Sequence, residues 1–453
     1  MSAVIETSAN VVSPTPIAQG DDARAVAFDK DGQIALATFL GQVRGVAAAL
    51  PAGRHAINLC EDRYRFLVAF CAVALRGQVN LLPPSRAPAV VADVLSRHAD
   101  SYCLGDCDLE SPPPHYWRLP DVLPNATGSV PMLADDALVA IGFTSGSTGR
   151  PQPNPKTWGS FRTSTAQNLV ALGDLWGDEA PHLVATVPPQ HMYGLELSVL
   201  LPLLGVAAVH AARPFFPEDI ARALHDAQAP RVLVTTPVHL RALVEAGVVL
   251  PPLAGIVSAT APLAPELAAA AETRFGCEVR ELFGSTETCV IARRRTAHET
   301  AWTPLPGVRL APQPDGTAVH APHLVASVTL ADLVEIIGGD GRFLLCGRNA
   351  DLLEIAGKRA SLGDLTRKLL AIPGVEDGVV FQLDQAGCDG VRRIAALAVA
   401  PGLDEAAILA ALRREIDPVF LPRPLKRVAA LPRNDTGKLP RQALATLLQG
   451  TDS

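Results

Sequence analysis

Positive charge is scarce in this sequence. Its 39 lysine and arginine residues are outnumbered by 46 aspartate and glutamate residues, which gives a net charge of −7 at pH 7. A protein that binds nucleic acid through the phosphate backbone needs a basic surface. The composition therefore indicates no nucleic-acid partner, and an anionic ligand would need a locally built positive site.

Paired cysteines and long apolar segments are also lacking. Among the eight cysteines only Cys103 and Cys107 lie close in sequence, so no second pair completes a metal-binding spacing. The most apolar long stretch, 195–212, contains a glutamate, a proline and a histidine, which indicates buried core. Residues 1–20 lack the basic and then apolar pattern of a signal peptide. We expect reduced thiols, no membrane span and a cytoplasmic location.

Helix and strand patterns alternate along the 453 residues, which is typical of parallel sheets layered with helices. The length suffices for more than one domain, and residues 1–23 are expected to be loosely ordered. Helices are predicted at 64–76, 89–98, 163–172, 362–371 and 405–416. Strands are predicted at 80–84, 101–104, 137–141, 183–187, 206–211, 232–235, 277–282, 342–346, 375–383 and 394–399.

A stretch rich in glycine and hydroxyl residues follows the predicted strand at 137–141. It consists of Thr144, Ser145, Gly146, Ser147, Thr148, Gly149, Arg150 and Pro151. The two glycines allow backbone geometries closed to other residues, so N–H groups can turn toward one point and hold a phosphate. A surface loop without a ligand is the alternative. No Gly-Lys-Ser/Thr closes the stretch, which argues against a P-loop ATPase or kinase.

This stretch resembles the phosphate loop of the adenylate-forming superfamily, which includes acyl-CoA synthetases, aryl-acid ligases, peptide-synthetase adenylation domains and luciferases. Three later stretches resemble other motifs of that superfamily in the expected order. The resemblance covers the chain from about residue 64 to the C-terminal end. The resemblance implies a large N-terminal domain of parallel-rich sheets, residues 1–347. It also implies a small α+β domain, residues 348–453, that rotates on a hinge.

The string Phe283-Gly284-Ser285-Thr286-Glu287 follows the strand predicted at 277–282. An aromatic face can stack on a purine, and a carboxylate is a hard oxygen ligand for Mg²⁺. A strand-to-helix turn with its acid near a helix N-terminus is the alternative. The resemblance favours a nucleotide site, in which Phe283, Gly284 and Ser285 contact ATP. Thr286 is then a catalytic hydroxyl at the phosphates, and Glu287 holds the metal.

Two strand ends are candidates for the acid-binding pocket. His191 follows the strand predicted at 183–187 and stands beside Tyr193, an arrangement that can face a pocket. A core histidine bonded to a carbonyl is the alternative. The resemblance implies that His191 borders the acyl pocket and the path of the thiol. It also places Ala259 and Thr260 where relatives usually carry glycines, beside the acyl group and the purine, so their size affects substrate choice.

Three further candidates lie toward the C-terminus. A carboxylate can accept two hydrogen bonds from a vicinal diol, and the resemblance implies that Asp332 binds the ribose in this way. Ala331 replaces the glycine usual before that acid. The resemblance also places Arg348 near the ribose or phosphate and Lys438 on the acid's carboxylate and the α-phosphate. A solvated loop lysine is the alternative for Lys438.

Two positions depart from the superfamily's pattern. Relatives continue the phosphate loop with Pro-Lys-Gly, whereas here Pro151 is followed by Gln152. Lys156 is our candidate to replace the missing lysine at the β- and γ-phosphates, from a longer excursion of the loop that three prolines stiffen. At the hinge, Ala350 stands in place of the usual acid. These departures leave open a non-catalytic or weakly active protein that binds nucleotide or acyl groups.

The chemistry implied by the resemblance is ligation of a carboxylic acid to a thiol. The carboxylate attacks the α-phosphorus of ATP with Mg²⁺ present, pyrophosphate leaves, and the thiol of CoA or of carrier-protein phosphopantetheine takes the acyl group. The protein must position two anions and neutralise their charge. An aromatic content of 5% does not choose between an aryl and a fatty acyl substrate.

Overall fold

The computed structural model describes residues 14–145, 151–313, 316–348, 352–355, 358–386, 392–433 and 439–450. The chain forms two compact units. The first comprises Met1–His298, Leu305–Gly307 and Ala321–Val325; the second comprises Glu299–Pro304, Val308–His320 and Ala326–Ser453. The boundary at residue 348 and the hinge rotation stay predictions.

The first unit alternates strands and helices, as the sequence predicts. Its described strands are β1 (Thr15–Pro16), β2 (Ala25–Asp29), β3 (Gly32–Ala35), β4 (His55–Asn58), β5 (Val79–Leu82), β6 (Ser101–Gly105), β7 (Tyr116–Arg118), β8 (Met132–Leu133), β9 (Leu138–Ser145), β10 (Pro151–Thr157), β11 (His182–Ala185), β12 (Ala208–His210), β13 (Arg231–Thr235), β14 (Gly255–Ser258), β15 (Glu278–Ser285) and β16 (Cys289–Arg294).

The helices of this unit connect those strands. They are α1 (Leu36–Ala49), α2 (Arg63–Leu75), α3 (Pro88–Arg97), α4 (Trp158–Leu172), α5 (Met192–Leu195), a π-helix (Glu196–Leu200), α6 (Leu201–Leu204), α7 (Pro217–Asp226), α8 (Pro237–Ala246) and α9 (Pro265–Phe275). Helix α4 begins five residues before its predicted start, because the Thr157 side chain caps it by accepting a hydrogen bond from Ser160 N.

Two sheets form the layers of the first unit. One has the strand order β10-β9-β5-β4-β6-β7, and its strands are parallel except for β10, which pairs antiparallel with β9 at one edge. Within the first unit, the other runs β16-β15-β14-β13-β11-β12-β2-β3, and β16 and β3 pair antiparallel with β15 and β2. Ligands of such sheets bind at the carboxyl ends of parallel strands.

Helix α2 explains why one segment of the sequence is apolar on every side. It contacts β4 and β5 of the first sheet and β12 of the second. Eleven of its residues are buried, and Asp62 caps its first turn by accepting a hydrogen bond from Arg65 N. A helix with apolar residues all round is a buried helix, and this one lies between the two sheets.

The expected loose N-terminal segment is described from residue 14 onward. There, Thr15 and Pro16 pair with Leu133 and Met132. Ile17 is fully buried. The expectation of loose order is therefore wrong for residues 15–17, because an isoleucine in the core and a strand pairing hold them.

The second unit is built from smaller sheets. Its described strands are β17 (Thr303–Pro304), β18 (Arg309–Gln313), β19 (Gly316–His320), β20 (Val328–Leu330), β21 (Asp332–Ile336), β22 (Phe343–Arg348), β23 (Leu352–Ile355), β24 (Lys358–Ser361), β25 (Asp377–Ala386), β26 (Arg392–Val399) and β27 (Leu425–Arg427). Its helices are α10 (Leu362–Leu370), α11 (Glu405–Glu415) and α12 (Arg441–Gly450). One apolar cluster joins α10 and α11 to the β25-β26-β27 sheet, and another joins α12 to it.

The predicted fold class is confirmed: parallel-rich sheets with helices form the larger part, and a smaller α+β region follows. Within the described residues, no helix is both long and apolar enough to cross a membrane. The apolar stretch 195–212 instead forms buried helical turns and β12.

Candidate active site

A hairpin of β9 and β10 carries the phosphate-loop stretch. Thr144 at the end of β9 is half-buried and pairs with Gln152, and Ser145 pairs with Pro151. The other predicted members of the loop, Gly146, Ser147, Thr148 and Gly149, lie outside the described residues. The glycine-rich stretch is therefore placed at the carboxyl end of a strand whose neighbour β5 is parallel to it.

Strand β10 is regular although every second residue from 151 to 155 is proline. We interpreted these prolines as a longer excursion of the loop, and this interpretation is wrong. Because β10 lies at the edge of its sheet, alternate N–H groups face away from its partner. A missing N–H on that side removes no ladder hydrogen bond.

The string 283–287 ends β15 and turns directly into β16. The strand-to-helix alternative is therefore excluded. A side chain at Gly284 would clash with the carbonyl oxygen of Cys289, so the hairpin itself requires this glycine. The Ser285 hydroxyl accepts a hydrogen bond from Thr288 N at 3.2 Å, and Ser285 N donates to Thr288 Oγ1 at 3.2 Å. These reciprocal bonds fix the turn that presents Thr286 and Glu287.

Three of the predicted motifs meet at Gly142. A Cβ atom at this residue would lie 2.7 Å from Thr286 Cγ2 and 3.3 Å from Met192 Cε. Gly142 lies two residues before Thr144, and Met192 follows His191. The structure thus brings together the phosphate-loop strand, the His191 segment and the Thr286 turn. The sequence signal for Gly142 was a glycine directly after the apolar run 137–141, since a glycine in a strand often marks a close approach of another segment.

The side chain of Lys156 points into the protein. It is 4% exposed, and its Nζ donates a hydrogen bond to the carbonyl oxygen of Glu287 at 2.7 Å. Nearby, Glu196 is buried and accepts hydrogen bonds from Ser164 Oγ and from Asn168 Nδ2. Burial raises the pKa of Glu196, while those two donors and the charge of Lys156 lower it. Glu196 was not a predicted site residue.

The candidate acid pocket lies at the ends of β11 and β14. His191 is half-buried and is the N-cap residue of α5, and a side chain at Gly194 would clash with the carbonyl oxygen of Pro188. The Tyr193 side chain is buried, and its hydroxyl donates to Val257 O at 2.9 Å.

Thr260 follows β14 with a φ of 81°. This left-handed conformation is unfavourable for a β-branched residue and common for glycine. The backbone conformation of residue 260 is therefore one that suits glycine, the residue expected here from the resemblance.

In the second unit, the two candidates for the ribose are paired in the backbone register of β21 and β22. Asp332 begins β21 and Arg348 ends β22, and they are direct partners in the antiparallel register. The Asp332 carbonyl oxygen also accepts a hydrogen bond from Thr317 Oγ1 at 2.7 Å. Lys438 and the hinge residues 349–351 lie outside the described residues.

The metal candidate is a single carboxylate. Within the described residues, no group of three histidine, cysteine, aspartate or glutamate side chains could hold a metal. Mg²⁺ often takes only one or two protein carboxylates and completes its shell with phosphates and water. The half-buried Glu287 on its fixed turn fits this donor set.

Comparisons with known proteins agree with this arrangement. The family model described as AMP-binding enzyme matches residues 18–313. A 4-coumarate–CoA ligase from Rhodobacter capsulatus is 32% identical over 307 residues, 66% of this chain and 74% of that protein. A sulfoacetate–CoA ligase from Cupriavidus necator is 28% identical over 366 residues, 71% of this chain and 69% of that protein.

Among solved structures, an o-succinylbenzoate CoA synthetase from Bacillus subtilis in complex with its acyl-adenylate intermediate superimposes with a TM-score of 0.80. It is 18% identical and covers 95% of this chain and 98% of its own, a likeness that shows the fold. The predicted adenylate-forming resemblance and the predicted class of enzyme, an acid–thiol ligase, are confirmed. The chain belongs to the family of AMP-binding enzymes.

Proposed function

We propose that this chain uses ATP to activate a carboxylic acid as an acyl-AMP and then passes the acyl group to the thiol of CoA. The contact of Gly142 with Thr286 and Met192 supports this proposal most directly. It joins the phosphate-loop strand to the metal turn and to the segment beside the acyl pocket. Adenylation needs the acid, the α-phosphate and the metal at one place.

In the first step, a carboxylate oxygen of the acid attacks the α-phosphorus of ATP. The bond from that phosphorus to the pyrophosphate oxygen breaks, which yields acyl-AMP and pyrophosphate. Both reactants are anions, so the site must supply positive charge and oriented N–H groups. We assign this role to the backbone of residues 144–149, to the Thr286 hydroxyl and to the Lys438 ammonium.

Glu287 would hold Mg²⁺ together with the phosphates of ATP. When bound, Mg²⁺ would neutralise charge on the pyrophosphate as it leaves. The backbone of the turn bearing Glu287 is fixed by the Ser285–Thr288 bonds, so its carboxylate starts from a defined position.

Asp332 and Arg348 are our candidates for the ribose side of ATP. Directly opposite residues in an antiparallel pair have Cα atoms about 4.5 to 5.5 Å apart. A carboxylate and a guanidinium on such neighbouring positions suit a vicinal diol and an adjacent phosphate. Phe283 is half-buried, and its ring is our candidate to stack on the purine.

In the second step, the thiol sulfur attacks the acyl carbon, the carbon–oxygen bond to AMP breaks, and the thiol proton is released. We favour CoA over carrier-protein phosphopantetheine, because both curated relatives described above are named CoA ligases. The cysteines of the described residues are free thiols, in keeping with a reducing compartment. We accordingly place the enzyme in the cytoplasm.

The acid pocket is assigned to His191, Tyr193 and Thr260. The buried Tyr193 ring is held by its bond to Val257 O, so it forms a rigid wall. Thr260 adds a side chain where a glycine would leave space. We infer a pocket shorter or narrower at this end than one lined by glycine.

The proposal is tested by ATP-dependent pyrophosphate release with a panel of aryl, short-chain and long-chain acids, without thiol. Release with one class of acid is expected, and thioester should then form with CoA faster than with a holo-carrier protein. Faster transfer to the carrier protein would show that the acceptor is not CoA, while the proposed adenylation step would still stand. No release with any acid, from folded protein shown to bind ATP, would favour a non-catalytic binding protein.

A further inference from the structure

The position of Lys156 on β10 is unsuited to the phosphate role that the sequence predicts for it. Residues 152, 154 and 156 alternate onto one face of the strand, whose register with β9 is unbroken from Pro151 to Lys156. Four residues of strand span about 13 Å, which is longer than a lysine side chain. The Lys156 ammonium instead lies on the Glu287 carbonyl oxygen at 2.7 Å.

Three buried side chains that are distant in sequence bond to backbone groups of residues 287, 288 and 290, in and just after the turn that follows β15. Lys156 binds the carbonyl oxygen of Glu287. His323 Nε2 donates to the carbonyl oxygen of Thr288 at 2.6 Å. Glu196 Oε2 accepts a hydrogen bond from Val290 N at 3.0 Å. The turn that presents the metal candidate is therefore held from beneath, independently of any ligand.

The charges of this group are complementary. Glu196 is 1% exposed and Lys156 is 4% exposed, and the positive charge of Lys156 acts on the Glu196 carboxylate. Buried charges persist in proteins when they are paired and hydrogen-bonded. The Glu196 carboxylate therefore offers negative charge to the buried Lys156 ammonium under the turn.

We propose that Lys156 is a positioning residue, which fixes the carbonyl oxygen of Glu287 and thereby the direction in which Thr286 and Glu287 face magnesium-bound ATP. Glu196 stabilises the Lys156 charge in this role. This inference rests on the proposed function, which supplies magnesium-bound ATP as the ligand. It replaces the contact between Lys156 and the phosphates that the sequence predicts. Because Lys156 lies at the base of the hairpin that bears the phosphate loop, it also links that hairpin to the metal turn.

The test compares Lys156→Met with the double variant Lys156→Met/Glu196→Gln. The single change leaves a buried carboxylate without its counter-charge and should lower the melting temperature. The double change removes both charges and should recover most of that stability. A misplaced catalytic group costs about 100-fold in rate. The double variant should therefore fold, but its kcat for pyrophosphate release should still be about 100-fold lower than that of the wild type. It should also need more Mg²⁺ for the half-maximal rate.

A matched control comes from the same strand and face. Asn154 is half-exposed, and its side chain donates a hydrogen bond to the carbonyl oxygen of Gln152 at 3.1 Å. Asn154→Ala should leave both kcat and the Mg²⁺ requirement as in the wild type. If the double variant instead raises the KM for ATP alone, with kcat and Mg²⁺ requirement unchanged, Lys156 contacts the phosphates and the proposal is wrong.

Amide hydrogen exchange separates this inference from the proposed function. Residues 285–288 of the double variant should exchange faster than in the wild type, whether or not an acid substrate is known. Unchanged exchange there would overturn the positioning role. If the wild type releases no pyrophosphate with any acid, the proposed function fails, while the exchange result still decides whether Lys156 holds the turn.

Discussion

The backbone of Gly142 packs against the methyl group of Thr286, so that a Cβ atom at residue 142 would lie 2.7 Å from Thr286 Cγ2. This contact joins strand β9 of the phosphate-loop hairpin to the turn that carries the metal candidate. The first residue has no side chain and the second needs its hydroxyl for the assigned chemistry. The contact can therefore be tested by changing only the size of the side chains at residues 142 and 286.

Gly142→Ala should displace the Thr286 turn and reduce adenylation. Overpacking of this kind costs about 1 to 3 kcal/mol. In the double variant Gly142→Ala/Thr286→Ser the methyl group is removed and the hydroxyl is kept, so pyrophosphate release should recover. Unfolding midpoints and kcat should be measured together. A fully active Gly142→Ala enzyme would show that the contact does not position Thr286.

Glu287→Gln should weaken the use of magnesium-bound ATP. A neutral amide is a poorer ligand for Mg²⁺ than a carboxylate, so the Mg²⁺ concentration for half-maximal pyrophosphate release should rise several-fold. Glu245 is exposed on α8 and offers a matched control, since Glu245→Gln removes the same charge elsewhere. Equal Mg²⁺ requirements for Glu287→Gln and the wild type would remove Glu287 from the metal site.

Lys438→Ala should abolish adenylation and spare the second half-reaction. Its ammonium is assigned to the charge that develops when carboxylate meets α-phosphate, and an acyl-AMP supplied ready-made no longer needs it. Thioester formation from synthetic acyl-AMP and CoA should therefore stay close to the wild-type rate. Equal loss of both half-reactions would contradict the role assigned to Lys438 in adenylation.

The stability of the first unit should fall as the pH drops from about 6.5 to 4. Burial, together with the smaller effect of the Arg231 charge, lowers the pKa of His182 to about 4. Its Nδ1 accepts a hydrogen bond from Gln228 N at 3.1 Å, so the folded ring stays neutral. Because the unfolded chain binds this proton at higher pH than the folded chain, acid favours unfolding.

Replacement of that histidine gives the measurement. His182→Gln keeps an acceptor for Gln228 N and should reduce the loss of unfolding free energy by up to about 1.4 kcal/mol per pH unit in this window. His225→Gln changes an exposed histidine on α7 and is the control. Identical pH profiles for His182→Gln and the wild type would contradict the assignment.

Local patterns predicted most elements of the fold. The apolar run before Gly77 is helix α2, the short strand before Pro83 is β5, and the short strand that begins at Ser101 is β6. Strand β10 was missed because prolines count against a strand, and only its place at a sheet edge makes them acceptable. Edge position is a property of the assembled sheet, which a local pattern does not contain.

The site motifs were recognised because the residues of each motif are contiguous in sequence. The side chains that hold the turn after β15 are not contiguous, and they were not recognised. Lys156, Glu196 and His323 are far apart in sequence, and each holds the turn near Thr288 through a backbone group. A contact to backbone leaves no signature in the residue type of its partner. Lys156 was therefore predicted as a phosphate ligand from charge and nearness in sequence alone.

The most direct test of the account follows the oxygen of the acid. With a carboxylic acid labelled with ¹⁸O in its carboxylate, and with ATP, Mg²⁺ and CoA, the AMP product should carry one labelled oxygen per turnover. This result is expected because the carboxylate oxygen bonds to the α-phosphorus and stays with AMP when the thiol attacks the acyl carbon. Unlabelled AMP, or formation of ADP, would contradict activation through an acyl-AMP.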